Sequence, residues 1–174
     1  MAKQLVSVIV ASYNHGPYIE ECIESIMAQT YPHVELLVVD DGSSDDSPSK
    51  IAQLQEKYGF DFRVQKNKGL THTLNETIAR AKGDYIAPFG SDDVMQPDRL
   101  SVQMAHIIDK PEVGICGGNI EMIHADGSLY PEEIQGRDIP SRRMDFEDVF
   151  LERKPYVPAP TMLIRREADR KSVV

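Results

Sequence analysis

The sequence predicts an α/β protein built on an open, mostly parallel, doubly wound sheet. Three observations lead there. Short apolar runs rich in β-branched residues recur along the chain, as in strands buried on both faces. Segments with apolar residues at helical spacing separate them. Clusters of turn-forming residues close most of the runs. Strands that alternate with helices give parallel pairing.

The first strand is Val6–Ala11, followed by the turn Ser12-Tyr13-Asn14-His15-Gly16-Pro17. A helix carries Ile19, Cys22, Ile23 and Ile26 on one face and stops at Tyr31-Pro32. Glu35–Val39 is the second strand, and it runs into Asp40-Asp41-Gly42-Ser43. Ser47-Pro48 opens a helix through Ile51, Leu54 and Tyr58. A third strand spans Phe60–Gln65, a loop covers Lys66–Gly69, and a helix runs over Thr71–Ala81. Gly83 suits a left-handed cap after it. Tyr85–Phe89 is the fourth strand, then come Gly90-Ser91-Asp92-Asp93 and a helix from Pro97 to Ile108. A fifth strand is expected over Val113–Ile120, with a hairpin turn at Asp126-Gly127. Residues 130–145 read as a mobile loop, Phe146–Leu151 as a short helix, and Thr161–Ile164 as the last strand. No repeat or linker interrupts the pattern, so residues 1–174 form one domain.

The chain has 174 residues, enough to bury a core, and its 27% charged content is that of a globular protein. No run is apolar and long enough for a membrane span, and the start lacks the features of a signal peptide. A cytoplasmic protein, or one at the membrane periphery, is expected. Cys22 and Cys116 read as buried free thiols. The five histidines show no zinc-ligand spacing and read as loop or surface residues. A formal net charge of −9 argues against nucleic acid as a partner. It also means that a phosphate-bearing ligand needs local neutralisation, by a cation or by backbone amides.

Ligands of open α/β sheets bind beyond the carboxyl ends of the strands. Three strands end there in Ser12-Tyr13-Asn14, Asp40-Asp41 and Ser91-Asp92-Asp93. Taken singly, each acidic pair has a plain explanation. Asp40-Asp41 suits a turn, and Asp92-Asp93 suits the cap of the next helix. Together they are harder to explain. Two like charges 4 Å apart repel by about 4 kcal/mol at an effective dielectric of 20. Turns do not require that cost twice at one edge, and a divalent cation would relieve it.

These residues resemble the family 2 glycosyltransferases. The resemblance rests on Val6–Asn14, Val38–Asp45, Asn67-Lys68-Gly69-Leu70 with Asn75, Ala81–Ala87, Ser91-Asp92-Asp93 and Pro97–Leu100, in order, over about residues 5 to 120. It implies the A-type nucleotide-sugar fold and inverting, metal-dependent transfer from a nucleotide-diphosphate sugar, a UDP-sugar above all. The acceptor would be a carbohydrate, a lipid or a protein. Ser12, Tyr13, Asp41, Lys68 and Asp92 are implied to bind the donor, and Asp93 to hold Mn²⁺ or Mg²⁺. Tyr13 would offer its ring to the base, and Asp41 would accept the imide N–H of uracil, which cytosine lacks. For Lys68 the competing explanation is a solvated loop lysine. The chain departs from the family's pattern twice. Gly90 stands where an acid is common. The Glu-Asp pair that carries the general base in inverting members is expected beyond Val174, together with the acceptor-binding part. Glu147-Asp148 spells that pair but precedes the last strand, and reads as a solvated helix face. A non-catalytic nucleotide-binding module and a nucleotidyltransferase remain as alternatives. A dinucleotide dehydrogenase is disfavoured, because no Gly-x-Gly-x-x-Gly follows the first strand.

Overall fold

A computed structural model describes residues 4–130, 144 and 157–171. Six strands form one sheet in the order β3-β2-β1-β4-β6-β5. In chain order these are β1 (Val6–Ser12), β2 (Val34–Asp40), β3 (Asp61–Val64), β4 (Tyr85–Gly90), β5 (Ile115–Cys116) and β6 (Leu163–Arg165). The helices are α1 (Ile19–Met27), α2 (Ser47–Tyr58), α3 (Leu70–Arg80), α4 (Arg99–Ile107) and α5 (Arg166–Lys171). β1 to β4 are mutually parallel, whereas β6 runs antiparallel to both β4 and β5.

Both faces of the sheet are covered, as its uninterrupted apolar strands require. Val6, Val8 and Val10 of β1 pack with Ile19, Cys22, Ile23 and Ile26 of α1, Ile51 and Leu54 of α2, and Leu100, Met104 and Ile107 of α4. Ile9, Leu37 and Ile86 point to the other face, against Leu74, Ile78 and Ala81 around α3. Alternation along β1 therefore sends successive side chains into two cores.

The strand order sets the place of the site. From β1 the chain builds outward through β2 to β3, then returns to the other side of β1 with β4. The carboxyl ends of β1 and β4 thus flank the point where the winding reverses, where such sheets open a crevice. Register keeps the strand ends level, with Ser12 opposite Asp40 and Ala11 opposite Gly90.

Several predicted elements change in detail. The left-handed helix cap is Gly59, at φ 76°, and not Gly83. Gly83 is needed for a close approach instead, because a Cβ there would lie 2.6 Å from the backbone nitrogen of Ser7. The fifth strand shrinks from Val113–Ile120 to Ile115–Cys116. Beyond it, Gly117 packs against Val157, and the Gly118 N–H donates to Thr161 Oγ1 rather than to a ladder. The last strand shifts to Leu163–Arg165, because Ala159–Thr161 forms a 3₁₀ turn. The hairpin at Asp126-Gly127 forms, with Gly127 at φ 81° and Ile123 bridged to Leu129. The loop expected beyond Tyr130 and the helix expected over Phe146–Leu151, with Glu147-Asp148, lie outside the described residues. Cys22 is buried and Cys116 partly so, and both are free. No described helix is long and apolar enough to cross a membrane.

Candidate donor site at the carboxyl edge

Asp40 and Asp41 are neighbours with different roles. Asp40 is fully buried, and its carboxylate accepts the backbone N–H of Gly42 (3.1 Å) and Ser43 (2.8 Å) and the Ser43 hydroxyl (2.6 Å). It is a turn residue, as its plain explanation had it. Asp41 points toward the loop after β3. Its Oδ1 accepts Gln65 Nε2 (2.8 Å) and the Lys68 N–H (3.0 Å), and its Oδ2 accepts the Gly69 N–H (2.9 Å). Burial alone would raise the Asp41 carboxyl pKa, but the bonds from Gln65, Lys68 and Gly69 outweigh it and hold it below the usual range. Asp41 is thus an ionised acceptor. A carboxylate has about four acceptor positions; Gln65, Lys68 and Gly69 fill three here, and the Thr73 hydroxyl also acts on it. Gly42 makes this packing possible. It lies at φ 82°, and a Cβ there would come within 2.8 Å of the Asn67 nitrogen.

The loop after β1 is laced to the loop after β2. Asn14 takes a left-handed conformation, φ 56°, and its Oδ1 accepts the Ser44 N–H at 2.8 Å. The Asn14 N–H donates to Ser43 Oγ (2.9 Å), and the Gly16 N–H donates to Asp45 Oδ2 (2.8 Å). Tyr13 stands 50% exposed at this edge, with its ring free of any aromatic partner among the described residues. Ser12 is buried, and its hydroxyl has no hydrogen-bond partner among the described residues. Lys68 contributes its backbone N–H to Asp41, while its Nζ pairs with Glu76 at 2.9 Å.

After β4 the chain turns sharply, with the Asp93 N–H donating to the Gly90 carbonyl at 3.3 Å. The Asp92 and Asp93 side chains fold back over Gly90, where a Cβ would lie 3.1 Å from Asp92 Oδ1 and collide with Asp93 Oδ2. Glycine at this position makes room for both carboxylates. Neither caps α4, whose capping position is Asp98. Burial raises the Asp93 carboxyl pKa, and the nearby Asp92 charge raises it further. The pair is therefore an electrostatic liability as it stands, of the kind a divalent cation removes. Among the described residues no three His, Cys, Asp or Glu side chains gather to hold a metal. A cation here would have to take its remaining ligands from water and from the donor, as Mg²⁺ and Mn²⁺ sites on phosphates do.

Three contributors were missing from the sequence reading. Gln65, at the end of β3, fixes Asp41. Arg99 lies beside Asp93 over the Phe89 ring, 5.3 Å from its centroid, and ties α4 to the Met162 carbonyl at 3.3 Å. Burial lowers its pKa to about 10, so it stays charged at neutral pH. His15 lies in the loop after β1, in keeping with its reading as a loop or surface residue, and its Nδ1 lies 2.6 Å from Ser91 Oγ and 3.9 Å from Asp92 Oδ1. Its position directly after Ser12-Tyr13-Asn14 was the available signal.

β2 and β4 flank β1, so with strands spaced about 4.8 Å apart their ends stand about 10 Å from each other. Asp41 lies at one end of that span, the Asp92-Asp93 pair at the other, and Tyr13 and His15 follow β1 between them. A separate groove lies elsewhere. It holds about 500 Å³ at the amino edge, between Ile26, Tyr31, Glu35, Tyr58 and Arg80. Its walls are strand starts and helix ends, without a converging set of acidic groups.

Comparison with known proteins agrees with this geometry. Residues 7–172 match the model of the family described as glycosyl transferase family 2. The glycosyltransferase GlyG of Streptococcus pneumoniae is 35% identical over 130 residues, covering 73% of this chain and 43% of its own. The mannosyltransferase PcManGT of Pyrobaculum calidifontis, solved with GDP-Man and Mn²⁺, superposes with a TM-score of 0.72 at 21% identity, over 99% of this chain and 48% of its own. TarS 1-349 of S. aureus, solved with UDP-GlcNAc, gives 0.68 at 23% identity, over 95% and 47%. The chain thus spans a little under half the length of these relatives. With the family's model matching residues 7–172, the chain belongs to glycosyl transferase family 2.

Proposed function

We propose that the carboxyl edge binds a nucleoside-diphosphate sugar for inverting, metal-assisted glycosyl transfer. The observation that carries this is the level placement, on either side of β1, of an ionised acceptor, Asp41, and an acidic pair, Asp92-Asp93, that Arg99 and His15 offset only in part. The nucleotide would lie along the edge, with its base at Asp41 and its diphosphate at the turn after β4. As an ionised acceptor, Asp41 suits the imide N–H of uracil. Cytosine and adenine present no proton there. Guanine does, at N1, so a GDP-sugar is the second reading. The free Tyr13 ring offers a stacking face, and the Lys68 and Gly69 amides keep Asp41 charged.

Transfer breaks the bond between the anomeric carbon and the diphosphate oxygen as an acceptor hydroxyl attacks from the opposite face and gives up its proton to a general base outside this edge. Mn²⁺ or Mg²⁺, when bound, supplies Lewis-acid stabilisation of the leaving diphosphate. The chain's own part is to hold that diphosphate at Asp92 and Asp93 and to choose the base at Asp41. The acceptor, a carbohydrate, lipid or protein, is left to residues outside this edge.

A thermal-shift panel of UDP, GDP, CDP and ADP, each with Mn²⁺ or EDTA, tests the proposal. A ligand at 100 times its Kd adds about 2.7 kcal/mol of stability. UDP should raise the melting temperature most, GDP next, and both should lose most of the effect in EDTA. Equal shifts from all four, unaffected by EDTA, would contradict it.

A further inference from the structure

His15 is the polar side chain that joins the loop after β1 to the acidic turn after β4, across the switch point of the sheet. Its backbone is fixed on both sides. The N–H donates to Ser47 Oγ (3.1 Å), and the carbonyl accepts the N–H of Tyr18 (2.9 Å) and Ile19 (3.0 Å). The ring stands edge-on to Tyr18, with centroids 6.2 Å apart. Nδ1 is engaged by Ser91 Oγ at 2.6 Å, and Ser91 is itself only 2% exposed. The imidazole is therefore held in place while its side chain remains 34% exposed. Nε2 has no hydrogen-bond partner among the described residues.

This arrangement has a chemical consequence. A neutral imidazole carries its proton on one nitrogen, and the bond made by the other decides which. The contact between Nδ1 and Ser91 Oγ allows either direction, and the one in which the serine hydroxyl donates leaves Nε2–H as an outward donor. The edge is acidic, and the basic side chains nearest its acidic groups are committed: Lys68 to Glu76, and Arg99 to Gln103 and the Met162 carbonyl. A diphosphate arriving beside Asp92 and Asp93 needs donors, and His15 Nε2 is one held in place beside them.

We propose that His15 is a donor-binding residue, oriented by Ser91, whose Nε2–H bonds an oxygen of the nucleotide's diphosphate. This rests on the donor-site assignment above and adds to it a residue that reads the phosphates and not the base.

The two side-chain amides separate its two nitrogens. The Asn amide reaches the position of Nδ1, and the Gln amide reaches that of Nε2. His15→Asn keeps a partner for Ser91 and removes the outward donor, whereas His15→Gln restores the outward donor. The test is calorimetric titration of the folded chain at fixed Mn²⁺ with UDP, GDP, uridine and guanosine, with thermal melts to confirm that each variant is folded. H15N should weaken the better-bound diphosphate about tenfold, the size of one hydrogen bond to a charged group. Its affinity for the matching nucleoside should not change, and H15Q should recover most of the diphosphate affinity. A merely structural role would weaken nucleoside and nucleotide alike and would not be rescued by Gln. Unchanged diphosphate binding in H15N, or equal losses for nucleoside and diphosphate, would overturn the proposal. If the unaltered chain binds neither diphosphate, the donor-site assignment itself fails, and the role of His15 falls with it.

Discussion

At Asp93, burial and the neighbouring Asp92 charge both push the carboxyl pKa up. The linkage is then fixed in sign. The stability associated with a raised carboxyl pKa is complete below the unfolded value, near 3.8, and is lost as pH rises through the folded value. At neutral pH the metal-free chain therefore bears a penalty at Asp93. Asp93→Asn should raise the melting temperature in EDTA at pH 7 by a few degrees. That gain should vanish on acidification below the unfolded value. The same variant should lose most of the Mn²⁺-dependent shift given by UDP. Melts across pH with EDTA or Mn²⁺ check both halves, and a destabilised D93N at pH 7 in EDTA would show that the carboxylate is well compensated. The place of Asp93 and Asp41 at the carboxyl edge was legible in the sequence because they follow buried strands. Residue type alone did not separate Asp41 from Asp40, and only the family resemblance named Asp41, because adjacent residues at a strand end differ in the partners the fold brings to them. For Asp40 those are Gly42 and Ser43, near in sequence, and for Asp41 they are Gln65, Lys68 and Gly69, far from it.

The turn between β4 and α4 carries the acidic pair, and its geometry depends on Gly90. The φ of Gly90 is not in the left-handed region, so alanine is tolerated by the backbone. Its methyl would meet only the movable ends of Asp93 and Asp92. Gly90→Ala should therefore cost less than about 1 kcal/mol in urea unfolding. It should nevertheless push the two carboxylates outward and weaken the Mn²⁺ dependence of UDP binding severalfold. Unchanged Mn²⁺ dependence in G90A would mean that the folded-back placement of the pair has no part in holding the cation. At this scale the sequence was informative where hydrophobic period and turn chemistry agree, as in β1, β2, α1 and α2. It misled where a tertiary contact decided the local form. Gly83 looks like a helix cap and is in fact a close approach to Ser7. The run after Cys116 looks like a strand, but Thr161 draws the Gly118 N–H away from any ladder.

For the molecule as a whole, the alternation of strands and helices predicted a mostly parallel sheet, and β1 to β4 follow it. The antiparallel β6 was not predicted, because its pairing with β4 and β5 joins segments distant in sequence. The strand order also separates the proposed chemistry from a second concavity. The residues proposed to bind the donor lie at the carboxyl edge, and the 500 Å³ groove lies at the amino edge. That separation makes the central claim open to direct measurement. Mn²⁺ is paramagnetic and broadens the resonances of nearby nuclei, so amide spectra of the ¹⁵N-labelled chain with UDP, titrated with Mn²⁺, locate the cation. Broadening should be strongest at Ser91, Asp92, Asp93 and His15, weaker at Gly69, and absent at Ile26, Tyr58 and Arg80. Broadening centred on the amino-edge groove, or spread evenly over the surface, would contradict a donor site built on Asp41 and the Asp92-Asp93 pair.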